Sequence, residues 1–232
     1  MMVAPERHEF ATRGELAVTL ARSVAETLAA AIAARGTAFI AVSGGTTPAG
    51  FFRALSQEPL DWGKVIVTLV DERFVPESSD RSNAALVRAN LLQNRAAEAR
   101  FAPLYQPTAT VEEAAAQASE ALQTLPWPLD VAALGMGLDG HTASFFPDAV
   151  NLDELLSPSE TGHVLPVHAL TAGERRLTLP LARIIAAGRV VLQIEGMEKK
   201  PVLASALEPE VSRPISAVFR QRRKPVEIYW AP

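Results

Sequence analysis

The sequence predicts an α/β fold in which a mostly parallel sheet is covered by helices on both faces. Three observations lead there. Strand-length runs that are almost wholly apolar, such as Ala38–Val42, recur along the chain, and strands read this way when both their faces are buried. Segments of helical period separate them, the pattern of parallel strands joined by crossover helices. Three runs stop at glycine-rich or polar sequence, and in parallel sheets ligands sit beyond the carboxyl ends of the strands.

Residues 14–35 place Leu16, Leu20, Val24, Leu28 and Ile32 on one helical face. Gly36 stands where a helix C′ residue does. The strand 38–42 is stopped by Gly44-Gly45. Pro48 suits the first turn of a helix over 48–56, where no amide donor is needed. Residues 64–70 are rich in β-branched side chains and form a strand ended by Asp71-Glu72-Arg73. Ser82 and Asn83 cap a helix reaching Asn94. Thr110 and Glu113 make a capping box for a helix over 112–125, broken by Pro126-Trp127-Pro128. Residues 129–134 are a buried strand ended by Gly135-Met136-Gly137. Strands are also predicted over 163–168, 189–194 and 226–230, with helices near 180–187 and 198–207. The stretch 147–160 reads as a surface loop. With no repeat or linker, 1–232 reads as one domain.

Composition narrows the chemistry. The 232 residues suffice for a proper core, and 22 Lys and Arg against 26 Asp and Glu give a formal charge of −4. A mildly acidic chain without a basic block argues against nucleic acid but leaves room for a small anion held by a local cation cluster. The absence of cysteine removes disulfides, thiolate metal sites and thiol nucleophiles. No unbroken apolar run reaches the roughly 18–20 residues that span a bilayer. MMVAPERHEF lacks the apolar stretch of a signal peptide. The expected location is the cytoplasm, with no membrane partner.

Ser43-Gly44-Gly45-Thr46-Thr47-Pro48 joins a strand to a helix. Its glycines let backbone approach a ligand and its hydroxyls add donors, a phosphate-binding arrangement; a tight capped turn is the plainer reading. Gly135 to Gly140 matches G-x-G-x-x-G, yet a proline follows within seven residues where a dinucleotide site needs a helix. His141 follows this glycine segment beside Asp139, which suits an exposed general base oriented by a carboxylate; a loop histidine bonded to backbone is the alternative. Asp71-Glu72-Arg73 is either a ligand-facing strand end or a solvated turn. Arg175-Arg176 and Lys199-Lys200 are surface charge unless one member of each reaches an anion. His163 and His168 are read as facing opposite sides of a strand, and no histidine–acid spacing suggests a metal site.

Taken in order, SGGTTP, VDERFVP with DRSNAALVRANLL, GMGLDGHTASFFP, RLTLP and EGMEKK resemble the 6-phosphogluconolactonase family over residues 39–207. The wider superfamily includes glucosamine-6-phosphate deaminases, ribose-5-phosphate isomerase and CoA transferases. The resemblance implies a three-layer, Rossmann-like sheet without dinucleotide, cofactor or metal. It implies hydrolysis of 6-phospho-D-glucono-1,5-lactone to 6-phosphogluconate, the second step of the oxidative pentose phosphate pathway. The family's phosphate loop falls on Ser43, Gly44, Gly45 and Thr46, with Arg176 and Lys199 as its cations. The water-activating histidine falls on His141, and Asp71 and Arg73 fall beside the sugar ring; Asp139, from its position two residues away, is the candidate for orienting the imidazole. Asp71 is the rival base. Glucosamine-6-phosphate deaminases carry a glutamate where this chain has Phe146, so their Asp-His-Glu relay lacks a member here. The competing readings are such a deaminase or isomerase, or a non-catalytic sugar-phosphate sensor. The expected partner is the phosphorylated lactone alone, with the chain a monomer or small homo-oligomer.

Overall fold

The computed structural model describes residues 3–232; Met1 and Met2 of the N-terminal stretch read above lie outside them. The elements run β1 (Glu6–Glu9), α1 (Arg13–Arg35), β2 (Ala38–Val42), α2 (Ala49–Leu55), β3 (Val65–Leu69), β4 (Asp71–Arg73) and α3 (Asn83–Asn90). They continue β5 (Arg100–Ala102), α4 (Val111–Gln123), β6 (Val131–Leu134), α5 (Leu152–Leu155), β7 (Leu165–Val167) and β8 (Arg176–Thr178). The chain then closes through α6 (Leu181–Ile185), β9 (Arg189–Glu195), α7 (Lys199–Leu207), α8 (Pro214–Gln221) and β10 (Glu227–Ala231).

Seven strands form one sheet in the order β1-β10-β9-β6-β2-β3-β5, each neighbouring pair parallel. Adjacent residues of a strand point to opposite faces. Tyr229 meets Arg189, whose guanidinium reaches Ser23 and Thr27 of α1. Ile228 and Trp230 turn the other way, into a cleft shared with Leu203 and Ala204 of α7. Helices therefore cover both faces, giving the expected three layers. Phe39, Ile40, Val42, Val131 and Leu134 are buried at the centre, each large apolar side chain contributing about 1.5–3 kcal/mol.

The local signals explain the element ends. Thr12 Oγ1 accepts from the Glu15 amide at 3.2 Å, capping α1. Gly36 ends that helix at φ 78°, its amide donating to the Ile32 carbonyl. Helix α1 is long and apolar enough to cross a membrane, although Glu15, Arg22 and Glu26 leave it no unbroken apolar run. Its Leu16, Leu20, Val24 and Leu28 are fully buried in the core, which accounts for the apolar face.

Several expectations need correction. Residues 163–168 are not a strand of the main sheet. Only β7 is extended there, and with β8 and β4 it forms a separate antiparallel sheet in the order β4-β8-β7. His163 and His168 lie outside β7: His163 packs on Trp127, and His168 Nε2 meets Glu112 at 2.6 Å. The helix capped by Ser82 stops at Asn90, and Asn94 takes a positive φ of 53°. The stretch 147–160 contains α5, whose Leu155 is buried. Strands β1, β4, β5 and β8 and helix α8 were not anticipated.

From β2 the chain winds outward through β3 to β5. It then returns to β6, on the other side of β2, and winds through β9 to β10. The reversal lies between β2 and β6 and opens a crevice at their carboxyl ends.

Candidate active site

The crevice is a cavity lined by Ser43, Gly44, Gly45, Thr46, Asp71, Arg73, His141 and Arg176. The three strand-end segments singled out in the sequence thus converge. Ser43 ties the rim together. Its hydroxyl donates to the Ala133 carbonyl at 3.0 Å and accepts from the Gly135 amide at 3.1 Å. That single proton is committed to β6, as is the Ser43 amide, which leaves the amides of 44–47 and the Thr46 and Thr47 hydroxyls as the loop's remaining donors. Gly45 has φ 87°, a conformation in which a side chain is strained.

His141 is set by its own loop. Its amide and its Nδ1 both meet Asp139 Oδ1, at 3.0 and 2.6 Å. A carboxylate acceptor assigns the proton to Nδ1 and leaves Nε2 with a free lone pair. Burial works to raise the Asp139 carboxyl, but the amide, charge and ring hydrogen bond of His141 outweigh it and hold it below the ordinary 3.8. A Cβ on Gly137 would lie 2.3 Å from the imidazole, so glycine is required there for the ring to pack. Gly140 takes φ 84°, and Arg213 packs over it while donating to the Asp139 carbonyl at 3.0 Å. No helix opens at Gly140; the chain runs through turns to Asn151, so the G-x-G-x-x-G match lacks its dinucleotide context.

On the small sheet, Arg73 and Arg176 are register partners. Arg176 Nη2 donates to the Ala172 carbonyl at 2.9 Å and lies 3.4 Å from Glu174. Burial pulls the pKa of its guanidinium below the ordinary arginine range, and nearby Asp71 works against that. Its Nε, and that of Arg73, are buried without a hydrogen-bond partner among the described residues. Arg73 also donates to the Arg81 carbonyl. Asp71 is nearly buried, and its Oδ2 accepts from Ser144 Oγ at 2.6 Å. Ser144 follows Ala143, which takes φ 48°, a strained choice for a side chain and one found at functional sites.

Two expected residues stand outside the lining. Asp139 lies behind His141. Lys199 directs its ammonium to the Met136 carbonyl at 2.7 Å, and burial lowers its pKa from 10.5. The ammonium keeps two further donors beside that bond. Among the lining residues missed as site residues are two with side-chain amides. Gln193 of β9 donates to the Thr47 carbonyl at 3.3 Å, and a lone amide in an apolar strand was the available signal. Asn83 was read only as a helix cap.

The β1–β10 pairing also brings donor atoms of Glu6, His8 and Glu227 within 4.8 Å of one another, which linear spacing does not reveal. Arg189 already holds the Glu227 carboxylate at 2.7 Å, so a cation occupies the position a metal would need to neutralise.

Comparison with known proteins gives a consistent picture. A family model described as glucosamine-6-phosphate isomerases/6-phosphogluconolactonase matches residues 11–230. A 6-phosphogluconolactonase of Mesorhizobium japonicum is 60% identical over 96% of this chain and 94% of its own. One from Rhizobium meliloti is 55% identical over 97% and 98%. The crystal structure of a 6-phosphogluconolactonase from Shewanella baltica superimposes with a TM-score of 0.96 at 39% identity, covering 100% of both chains.

Proposed function

The chain belongs to the glucosamine-6-phosphate isomerase/6-phosphogluconolactonase family, and we propose on that premise how its cavity hydrolyses 6-phospho-D-glucono-1,5-lactone to 6-phosphogluconate. Arg176 and the donors of residues 43–47 hold the phosphate. Binding energy from that remote group fixes the lactone carbonyl over the site. His141 Nε2 takes a proton from water as the oxygen attacks C1, and Asp139 steadies the imidazolium that forms. The tetrahedral intermediate then expels the ring oxygen, which receives the proton from His141. Arg73 stabilises the oxyanion. Asp71, already accepting from Ser144, orients a ring hydroxyl rather than water. Lys199 acts one step back, by holding Met136 and with it the glycine segment that carries His141.

The observation that carries this reading is the shared cavity of His141 and Arg176, both packed on Phe146. The imidazole has one nitrogen anchored and the other free, and a guanidinium grips from the opposing sheet. Phe146 also weighs against the deaminase. An aromatic ring stacks on His141 where that reaction requires a relay carboxylate. A sensor would leave the free nitrogen without a role. The core cluster spans Leu16 to Ala231, which supports one domain over 1–232. We infer a cytoplasmic monomer or small homo-oligomer whose partner is the small phosphorylated lactone.

The test is time-resolved NMR of freshly generated δ-lactone with and without the protein. Catalysis accelerates loss of the δ-lactone signal in proportion to enzyme. Binding of 6-phosphogluconate without acceleration would instead establish a sensor, and ammonia release from glucosamine-6-phosphate a deaminase.

A further inference from the structure

Glu72 is fully buried between the two cavity residues Asp71 and Arg73, and the chemistry above makes no use of it. Its carboxylate accepts four hydrogen bonds. Oε1 takes the amides of Arg73 and Asn83 at 2.7 and 2.8 Å. Oε2 takes the Ala84 amide at 2.7 Å and the Ser82 hydroxyl at 3.1 Å. The first two helical amides of α3 are therefore fixed to a residue of β4, and Asn83 with them.

Asn83 is 2% exposed and lines the cavity. Its Nδ2 donates to the Asp71 carbonyl at 2.9 Å. That carbonyl can only accept, so the orientation of the amide is determined. The Oδ1 then faces Gly44 and has no hydrogen-bond donor among the described residues. A Cβ built on Gly44 would lie 1.8 Å from that oxygen. Gly44 is not in the left-handed region, so the demand for glycine there is one of space rather than of backbone conformation. Asn83 creates that demand by occupying the space that a side chain on Gly44 would need.

We propose that Asn83, held in place by Glu72, is a positioning residue that sets how closely the Gly44 backbone approaches the phosphate of the substrate. The inference rests on the reading that residues 43–47 hold that phosphate. Asn83 links the Asp71 carbonyl on one side of the cavity to Gly44 on the other. Sugar-facing and phosphate-facing walls are thereby kept at a fixed separation. A merely structural Asn83 would cap α3 without touching Gly44.

The test compares Gly44→Ala, Asn83→Gly and the double variant on the phosphorylated lactone and on unphosphorylated glucono-1,5-lactone. Gly44→Ala is expected to raise KM for the phosphorylated lactone about tenfold, the scale of one well-placed hydrogen bond. Asn83→Gly raises it less, and for each variant the rise is larger on the phosphorylated than on the unphosphorylated lactone. In the double variant the missing side chain makes room for the new methyl group, and KM returns toward that of Asn83→Gly. Additive losses overturn the positioning role, because residues in contact couple whereas independent ones add. Recovery accompanied by equal KM changes on both lactones overturns the phosphate assignment of the loop and leaves the coupling standing. If Gly44→Ala does not fold, calorimetric titration of Asn83→Gly with 6-phosphogluconate decides. Weaker binding supports the role, and unchanged affinity overturns it.

Discussion

The Phe146 ring stacks on the His141 imidazole, with centroids 4.5 Å apart and planes inclined by 27°. The Arg176 guanidinium lies 5.4 Å from the same ring, so one buried aromatic side chain touches both the proposed base and the proposed phosphate grip. Phe146→Leu keeps an apolar group but removes the stacked surface. Such contacts are worth about 0.5–1.5 kcal/mol, so kcat is expected to fall about threefold to tenfold. Phe146→Glu places a carboxylate beside the imidazole, favours its charged form and moves the acid limb of the pH–rate profile upward. Stopped-flow assays across pH measure both; an unmoved limb in Phe146→Glu would show that the side chain does not reach His141.

His141→Ala removes the free Nε2. Loss of general-base assistance is expected to lower kcat about 10²–10⁴-fold with KM nearly unchanged. Asp71→Asn should instead raise KM, since its carboxylate accepts from Ser144 and lines the cavity. If Asp71→Asn abolishes turnover and His141→Asn does not, the roles are reversed.

Arg176→Ala is expected to act mainly on KM for the phosphorylated lactone and to leave hydrolysis of unphosphorylated glucono-1,5-lactone unaffected. Arg176→Lys should not restore affinity, because an ammonium cannot hold the Ala172 carbonyl and bind an anion through the same planar fork. Parallel kinetics on the two lactones separate these outcomes.

Asp139 gives a prediction in pH. Its carboxyl is depressed in the folded protein, so the unfolded chain binds the proton more readily. Its contribution is therefore present above the ordinary 3.8 and lost as pH falls through the folded value. The gap in urea midpoint between wild type and Asp139→Asn is expected to stay constant above about pH 5 and to close below the ordinary carboxyl range. A gap that persists through acid would show that the His141–Asp139 pair adds no charge-dependent stability.

The central layer and the crevice were legible because their signals are local. Residues 38–42 and 129–134 are apolar enough to require burial on both faces, and the segments that follow them supply the site. The small sheet was not legible. Its β4 and β8 have three residues each and begin with Asp71 and Arg176, so no period of two can establish itself. Strand β1 reads as charge because it is an edge, paired only with β10. Arg176 was placed by resemblance alone; nothing in its own segment says that it sits opposite Arg73. The bond from Lys199 Nζ to the Met136 carbonyl has no signal in the sequence either. The role of Asn83 depends on a contact with Gly44, far away in the chain, that no sequence period encodes.

The two sheets have a consequence for how the protein responds to heat. Arg73 and Arg176 are carried by the small antiparallel sheet, His141 by a loop of the large parallel one. The small sheet is joined to the large one where the Leu179 amide and the Thr178 hydroxyl both bond the Val70 carbonyl, at 2.8 and 3.2 Å. Such a seam can open without global unfolding, exposing the amides of 71–73 and 176–178 to deuterium exchange while the central strands remain protected. On warming, affinity for the substrate should then be lost before the rest of the molecule melts, and saturating product should slow exchange at that seam first.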